Sequence, residues 1–182
     1  MIILGIDPGS VKCGFGIIEI SNNKPKYIEC GIIDLKEHKE DFNLRLKKIY
    51  DSVSSIIQEF LPEVCVIEST FYSKNAQSLM KLSHARSAAI ISAMNKGLKI
   101  EEFSPNEIKR SVTGRGHASK EQVLFMIKNQ LGMIENPKYH DASDALAIAL
   151  CYHYNRHSSK KSVSSWEKYI KINPEKIKKT NQ

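Results

Sequence analysis

The chain has 182 residues, 41% of them apolar and 26% charged, which suits one globular domain with its own hydrophobic core. No apolar run approaches the roughly 20 residues of a membrane span, and the start MIILGIDPGS is unlike a secretory signal, so a cytoplasmic location is expected. The net charge of +7 favours a polyanionic partner, although a solvated surface with a charged tail is the alternative.

The first 70 residues predict four strands and one long helix. Apolar runs bounded by turn residues predict strands at 2–6, 15–20, 27–35 and 64–67. The first three follow one another through short turns, which predicts an antiparallel meander. Apolar residues at helical spacing predict a helix over 41–60, because a proline follows and breaks the pattern.

The rest of the chain predicts four helices and one further strand. Helical periodicity predicts a helix over 76–95, and residues 98–103 predict a fifth strand. Two helices begin at capping-box patterns, at 104–107 and 119–122, and a last helix over 141–154 is apolar nearly all round. Strands separated by helices of this length join most simply as parallel crossovers. We therefore predict an α/β fold with a mixed five-stranded sheet, strands 1–3 antiparallel, strands 4 and 5 parallel, and helices on both faces.

Four acidic residues stand at the ends of these apolar elements. Asp7 ends the strand IILGI and Glu68 ends VCVI, and neighbouring parallel strands would place both at their carboxyl ends, where open sheets bind ligands. Asp141 and Asp144 are three residues apart, so they share one face of the last helix near its start. An ionised carboxylate in an apolar element costs several kcal/mol unless a cation or hydrogen bonds compensate. The four acids are expected to converge.

A convergent cluster of carboxylates suits metal ions. Four carboxylates repel one another when alone, but they supply the oxygen ligands that hard cations need. Two Mg²⁺ ions about 3.5–4 Å apart would activate a water and stabilise a leaving oxygen, and Mn²⁺ is expected to substitute. The alternative is a separate structural role for each acid: a turn with Gly9 for Asp7, the cap of the last helix for Asp141 and an ion pair for Asp144.

Five segments match one known family in order, spacing and element type: GIDPGS, VIEST followed by FYSKNAQSLMKLSHARSAAI, FSPNEIKRSVTG, GHASKEQV and HDASDALAIAL. They resemble RuvC Holliday junction resolvases, and the resemblance covers about residues 1–155. It implies an RNase H-like fold, a homodimer, paired cuts in a four-way DNA junction that leave 5′-phosphate and 3′-hydroxyl ends, and the branch-migration proteins RuvA and RuvB as partners.

The resemblance also implies roles for individual residues. The catalytic and metal-binding acids would be Asp7, Glu68, Asp141 and Asp144. Some family members use a histidine in the third position, so His140 is the alternative to Asp141. We favour Asp141 because its spacing to Asp144 matches the family.

Predicted DNA-binding residues lie mainly between residues 71 and 130, which carry ten basic and four acidic groups. One aromatic residue matches a family position that contacts bases near the junction centre, and three lysines match basic family positions. An arginine lies in a glycine-bracketed loop within reach of a phosphate. For each, a core ring or a solvated surface charge is the alternative. These residues are Phe71, Lys74, Lys109, Arg115 and Lys120.

The C-terminal residues depart from the family pattern. We expect residues 1–155 to form the nuclease domain and 156–182, with eight basic and two acidic residues, to form a basic tail. Trp166, Tyr169 and Ile170 fall at helical spacing, so a short amphipathic helix is the alternative to a mobile tail.

Two other classes of protein share some of these features. GIDPGS before a three-strand meander also resembles the first phosphate loop of sugar-kinase and actin-like ATPases, but no second glycine-rich phosphate loop follows. A junction- or RNA-binding protein that has lost catalysis is the other alternative, and the presence of all four acids argues against it.

Overall fold

The computed structural model describes residues 1–38, 40–69 and 75–156. Five strands form one sheet in the order β3-β2-β1-β4-β5. β1 to β3 are antiparallel neighbours, whereas β1 pairs with β4, and β4 with β5, in parallel. The predicted mixed sheet is confirmed. The strands are β1 (Ile2–Asp7), β2 (Lys12–Ser21), β3 (Lys24–Asp34), β4 (Val64–Glu68) and β5 (Lys99–Phe103).

The five predicted helices are present, with bounds within a few residues of those expected. Both predicted capping boxes form, from Ser104 with Glu107 and from Ser119 with Gln122. A short 3-10 helix, Lys36–His38, was not predicted, because three residues are too few to show a helical period. The α-helices are α1 (Phe42–Phe60), α2 (Ala76–Asn95), α3 (Pro105–Thr113), α4 (Lys120–Leu131) and α5 (His140–Asn155).

Helices cover both faces of the sheet, as predicted. α1 and α2 pack on the face that contains Leu4 and Ile6, and α3, α4 and α5 pack on the face that contains Ile3, Val64 and Val66. The alternation follows from the two-residue period of a strand. Each fully buried aliphatic side chain contributes about 1.5–3 kcal/mol, so these two cores hold the helices against the sheet.

The last described residue lies against the domain. Arg156 follows α5, and its Nη2 donates to Oδ1 of Asn23 at 2.8 Å, in the turn between β2 and β3. Residues 157–182, with the predicted amphipathic segment, lie outside the described residues. Throughout the three described ranges, no helix combines the length and the apolar character that crossing a membrane requires.

Candidate active site

Asp7 and Glu68 lie side by side at the carboxyl ends of two parallel strands. β1 and β4 pair with Ile3 opposite Val64 and continue in register to Ile6 opposite Ile67. The next residue of each strand is the acid, and both acids face the side of the sheet that α5 covers. The predicted juxtaposition is confirmed.

α5 brings the other two acids to the same place. Its first turns lie directly on β1 and β2, because two glycines leave room for the helix backbone. A Cβ on Gly14 would lie 2.0 Å from the backbone oxygen of Asp141, and one on Gly5 would lie 2.1 Å from that of Ala145. This close approach sets Asp141 and Asp144 beside the ends of the strands.

The four acids line one cavity of about 280 Å³. Two lysines, Lys109 of α3 and Lys120 of α4, line it as well, and the ammonium of Lys120 lies 3.5 Å from a carboxylate oxygen of Asp144. All four acids are half-buried. The cavity therefore joins concentrated negative charge to two cationic side chains, an arrangement suited to cations and phosphate together. Its remaining lining is Pro105, Ile108, Val123, Ala147 and Ile148.

Burial and mutual repulsion change the acidity of this cluster. The pKa of Asp7 is raised from 3.8 to about 8, chiefly by burial and in addition by the charges of Glu68, Asp144 and Asp141, against an opposing effect of Lys120. Burial also raises the pKa of Glu68, together with the charge of Asp144, while Lys109 and Lys120 lower it. Asp7 therefore binds a proton at neutral pH when no cation lies in the cluster.

The donor set of the cluster fits Mg²⁺. Four carboxylates supply only hard oxygen ligands, and after burial the charges of the other three are the next causes of the raised pKa of Asp7. Within residues 1–38, 40–69 and 75–156, however, no three Asp, Glu, His or Cys side chains are placed closely enough to ligate one ion together. Repulsion between the carboxylates opposes closer approach when no cation separates them. Small side-chain movements would be needed to hold an ion.

The two alternatives for the third position differ in their surroundings. Asp141 lines the cavity. His140 is the first residue of α5, is exposed, and is not among the residues that line the cavity. Tyr139 rather than Asp141 occupies the cap position of α5, so the separate role of Asp141 as a helix cap is wrong.

The predicted DNA-binding residues fall into three groups. Lys109 and Lys120 line the cavity with the acids. Arg115 lines a separate cavity of about 490 Å³, which also contains Phe125 of α4. Phe71 and Lys74 lie outside the described residues.

Sequence reasoning did not assign the apolar wall of the active-site cavity. Two buried residues of that wall come from the helices that also carry the lysines: Ile108 from α3 and Val123 from α4. Each lies near a predicted lysine, one residue before Lys109 and three residues after Lys120. Closeness to these lysines along the helix was the available signal. An apolar residue at such a position is, however, more simply interpreted as part of the hydrophobic core.

Comparison with known proteins agrees with this geometry. A family model described as "Crossover junction endodeoxyribonuclease RuvC" matches residues 3–152. A protein of that description from Cytophaga hutchinsonii is 42% identical over 97% of this chain and 88% of its own length. Another, from Geobacter sulfurreducens, is 45% identical over 84% of this chain and 92% of its own length.

Solved structures lead to the same group. The RuvC of Thermus thermophilus superposes with a TM-score of 0.79 and 27% identity, over 87% of this chain and 96% of that one. Its complex with a Holliday junction substrate gives 0.81 and 28%, over the same shares of the two chains. These neighbours confirm the RNase H-like fold. Because the matched residues 3–152 include β2 to β5, all of β1 but its first residue, and all four acids, the chain belongs to the RuvC family of crossover junction endodeoxyribonucleases.

Proposed function

We propose that this protein is a structure-selective endonuclease that resolves four-way DNA junctions by metal-dependent hydrolysis of phosphodiester bonds. The observation that carries the proposal is the cavity that joins four carboxylates to Lys109 and Lys120. Family membership supports the same activity. The reaction adds water to phosphorus and breaks its bond to the 3′-oxygen, which leaves a 5′-phosphate and a 3′-hydroxyl.

The acids are proposed as the metal ligands. Asp7, Glu68, Asp141 and Asp144 would hold two Mg²⁺ ions, with Mn²⁺ as a substitute, and His140 is the alternative to Asp141. When bound, the ions supply Lewis-acid activation of water and of the leaving oxygen. The protein contributes a half-buried site in which charge interactions are stronger than in water.

The lysines are proposed to hold the phosphate. Lys120 contacts Asp144 at 3.5 Å, and an ammonium so placed can exchange its carboxylate partner for a phosphate oxygen when a cation takes over the acid. Lys109 lines the same cavity. Arg115 is proposed to contact the DNA backbone farther from the acids. Phe71 and Lys74 stay predictions from the family resemblance.

Two copies of the chain are proposed to act together, because two strands of a junction must be cut. α2 supports this, since it carries three exposed apolar side chains on one side: Met80 at 60%, Ile91 at 53% and Met94 at 60% exposure. A second copy would cover them. RuvA and RuvB as partners, and a cytoplasmic location, belong to the proposal through the family resemblance alone.

Cleavage of a synthetic four-way junction tests the function. With Mg²⁺ or Mn²⁺ the protein is expected to make paired cuts with ends that can be ligated, whereas a linear duplex of the same sequence stays intact. In sedimentation the active species is expected to have the mass of a dimer. Binding without cleavage under either metal would contradict the nuclease proposal, and ATP hydrolysis without cleavage would favour the ATPase class.

The role of Lys109 is tested by salt dependence. Lys109→Ala is expected to weaken junction binding and to reduce the slope of log affinity against log salt by about 1, because one phosphate contact is lost. Lys47→Ala, on the exposed surface of α1, is the matched control and should leave the slope unchanged. An unchanged slope in Lys109→Ala would remove this residue from the DNA-binding set.

A further inference from the structure

Arg86 of α2 connects the ends of two strands next to the active site. Its side chain is only 17% exposed. Nε donates a hydrogen bond to the backbone oxygen of Glu68 at 3.2 Å, and Nη2 lies 2.5 Å from a carboxylate oxygen of Glu102. One guanidinium therefore contacts the last residue of β4 and a residue of β5.

Arg86 contacts the backbone of Glu68 from the face of the sheet opposite to the one that carries the Glu68 carboxylate. Glu68 directs its carboxylate into the cavity on the α5 side, whereas α2 packs on the other side. Glu68 is the last residue of β4, and after it the amide of Ser69 donates to the backbone oxygen of Phe103 at 2.9 Å. The backbone of Glu68 is thus near the end of its sheet support, and Arg86 supplies an additional bond there.

The ion pair with Glu102 does not by itself explain this arrangement. Glu102 is 47% exposed, and ion pairs that face water contribute little to stability. A mostly buried guanidinium needs acceptors for its donors. Two different nitrogens of the planar guanidinium are engaged, Nε by the carbonyl of Glu68 and Nη2 by the carboxylate of Glu102, and together these acceptors orient it.

We propose that Arg86 is a positioning residue that fixes the backbone of Glu68, and through it the carboxylate, in the geometry that metal binding requires. The inference rests on the proposed function, since it treats Glu68 as a metal ligand. Residues that orient metal ligands typically change metal affinity by about 10–100-fold when replaced. Arg86 acts on its ligand through the main chain.

The test is Mn²⁺ binding to the full chain without DNA, measured from the electron paramagnetic resonance of free Mn²⁺. Arg86→Met is expected to weaken binding about 10-fold. Arg86→Lys should also weaken it, because an ammonium on a flexible stem does not reproduce the planar fork. Glu102→Gln keeps the bond to Glu68 and should change the affinity less than about two-fold, and Lys81→Met, an exposed charge on the same helix, should behave likewise.

The outcomes separate this inference from the proposed function. Wild-type affinity in Arg86→Met would overturn the role of Arg86 while the metal site stands. An equal loss in Glu102→Gln would assign the effect to the ion pair and overturn it too. A wild-type protein that binds no Mn²⁺ would overturn the metal site itself. Thermal unfolding identifies a variant that has lost its fold. If Arg86→Met does not fold, the Mn²⁺ affinities of Arg86→Lys and Glu102→Gln test the inference instead. Metal-free junction affinity is expected to stay unchanged in Arg86→Lys, because this variant keeps the positive charge.

Discussion

Asp7→Asn is expected to abolish cleavage of a four-way junction while junction binding is retained. Asp7 lies at the end of β1 in a cavity with the other three acids, and the amide keeps its size while removing its charge. A loss of about 4 kcal/mol of transition-state stabilisation corresponds to about a 10³-fold slower reaction. Binding without metal should persist, because Asp7 already binds a proton at neutral pH when no cation lies in the cluster, so the amide leaves the charge beside the polyanion unchanged.

Single-turnover cleavage with Mg²⁺ measures this effect, and a gel shift without metal measures binding. Asp51→Asn is the matched control: it is an exposed acid of α1 that pairs only with Lys47 among the ion pairs of the described residues, so it should cleave like the wild type. Cleavage by Asp7→Asn within about 10-fold of the wild-type rate would contradict the assignment of Asp7, because loss of a charged metal ligand should cost more.

The same variant is expected to stabilise the metal-free protein at alkaline pH. The pKa of Asp7 is raised from its ordinary value of 3.8 to about 8, chiefly by burial. Between these two values the folded protein keeps the proton and the unfolded chain has released it. The contribution of Asp7 to stability is therefore fully present below about pH 4 and is lost as the pH rises to about 8. Asn does not titrate and escapes this loss.

The size of the effect follows from the interval between the two pKa values. Each pH unit of that interval is worth about 1.4 kcal/mol, but water reaches a half-buried group and reduces the total to about 2 kcal/mol at pH 8. The measurement is urea unfolding in EDTA at pH 5 and pH 8. The free energy of unfolding of Asp7→Asn, relative to that of the wild type, is expected to be higher at pH 8 than at pH 5. Mg²⁺ should reverse the order at pH 8, because it binds the folded wild type more tightly. A constant difference between the proteins at both pH values would contradict the raised pKa.

Local sequence patterns predicted most of the secondary structure and, in the candidate site, the placement of each pair of acids. Alternation along two short strands predicted that Asp7 and Glu68 would lie together if their strands were parallel neighbours, and the strands are adjacent and parallel. The three-residue spacing of Asp141 and Asp144 placed both on one helical face. These predictions succeed because the two-residue and 3.6-residue periods are properties of the local backbone. The family resemblance, rather than periodicity, identified which fold joins the elements.

Only the tertiary structure decided what surrounds the acids. The spacing to Asp144 favoured Asp141 over His140, but only the packing of α5 shows that Asp141 lines the cavity while His140 is exposed. No local pattern indicates that Lys120 reaches Asp144, or that Arg86 donates to the backbone of Glu68. These contacts join residues 18 or more positions apart in the chain. They depend on how closely helices pack on the sheet, as where a Cβ on Gly14 would meet the backbone of Asp141, and packing is a property of the assembled core.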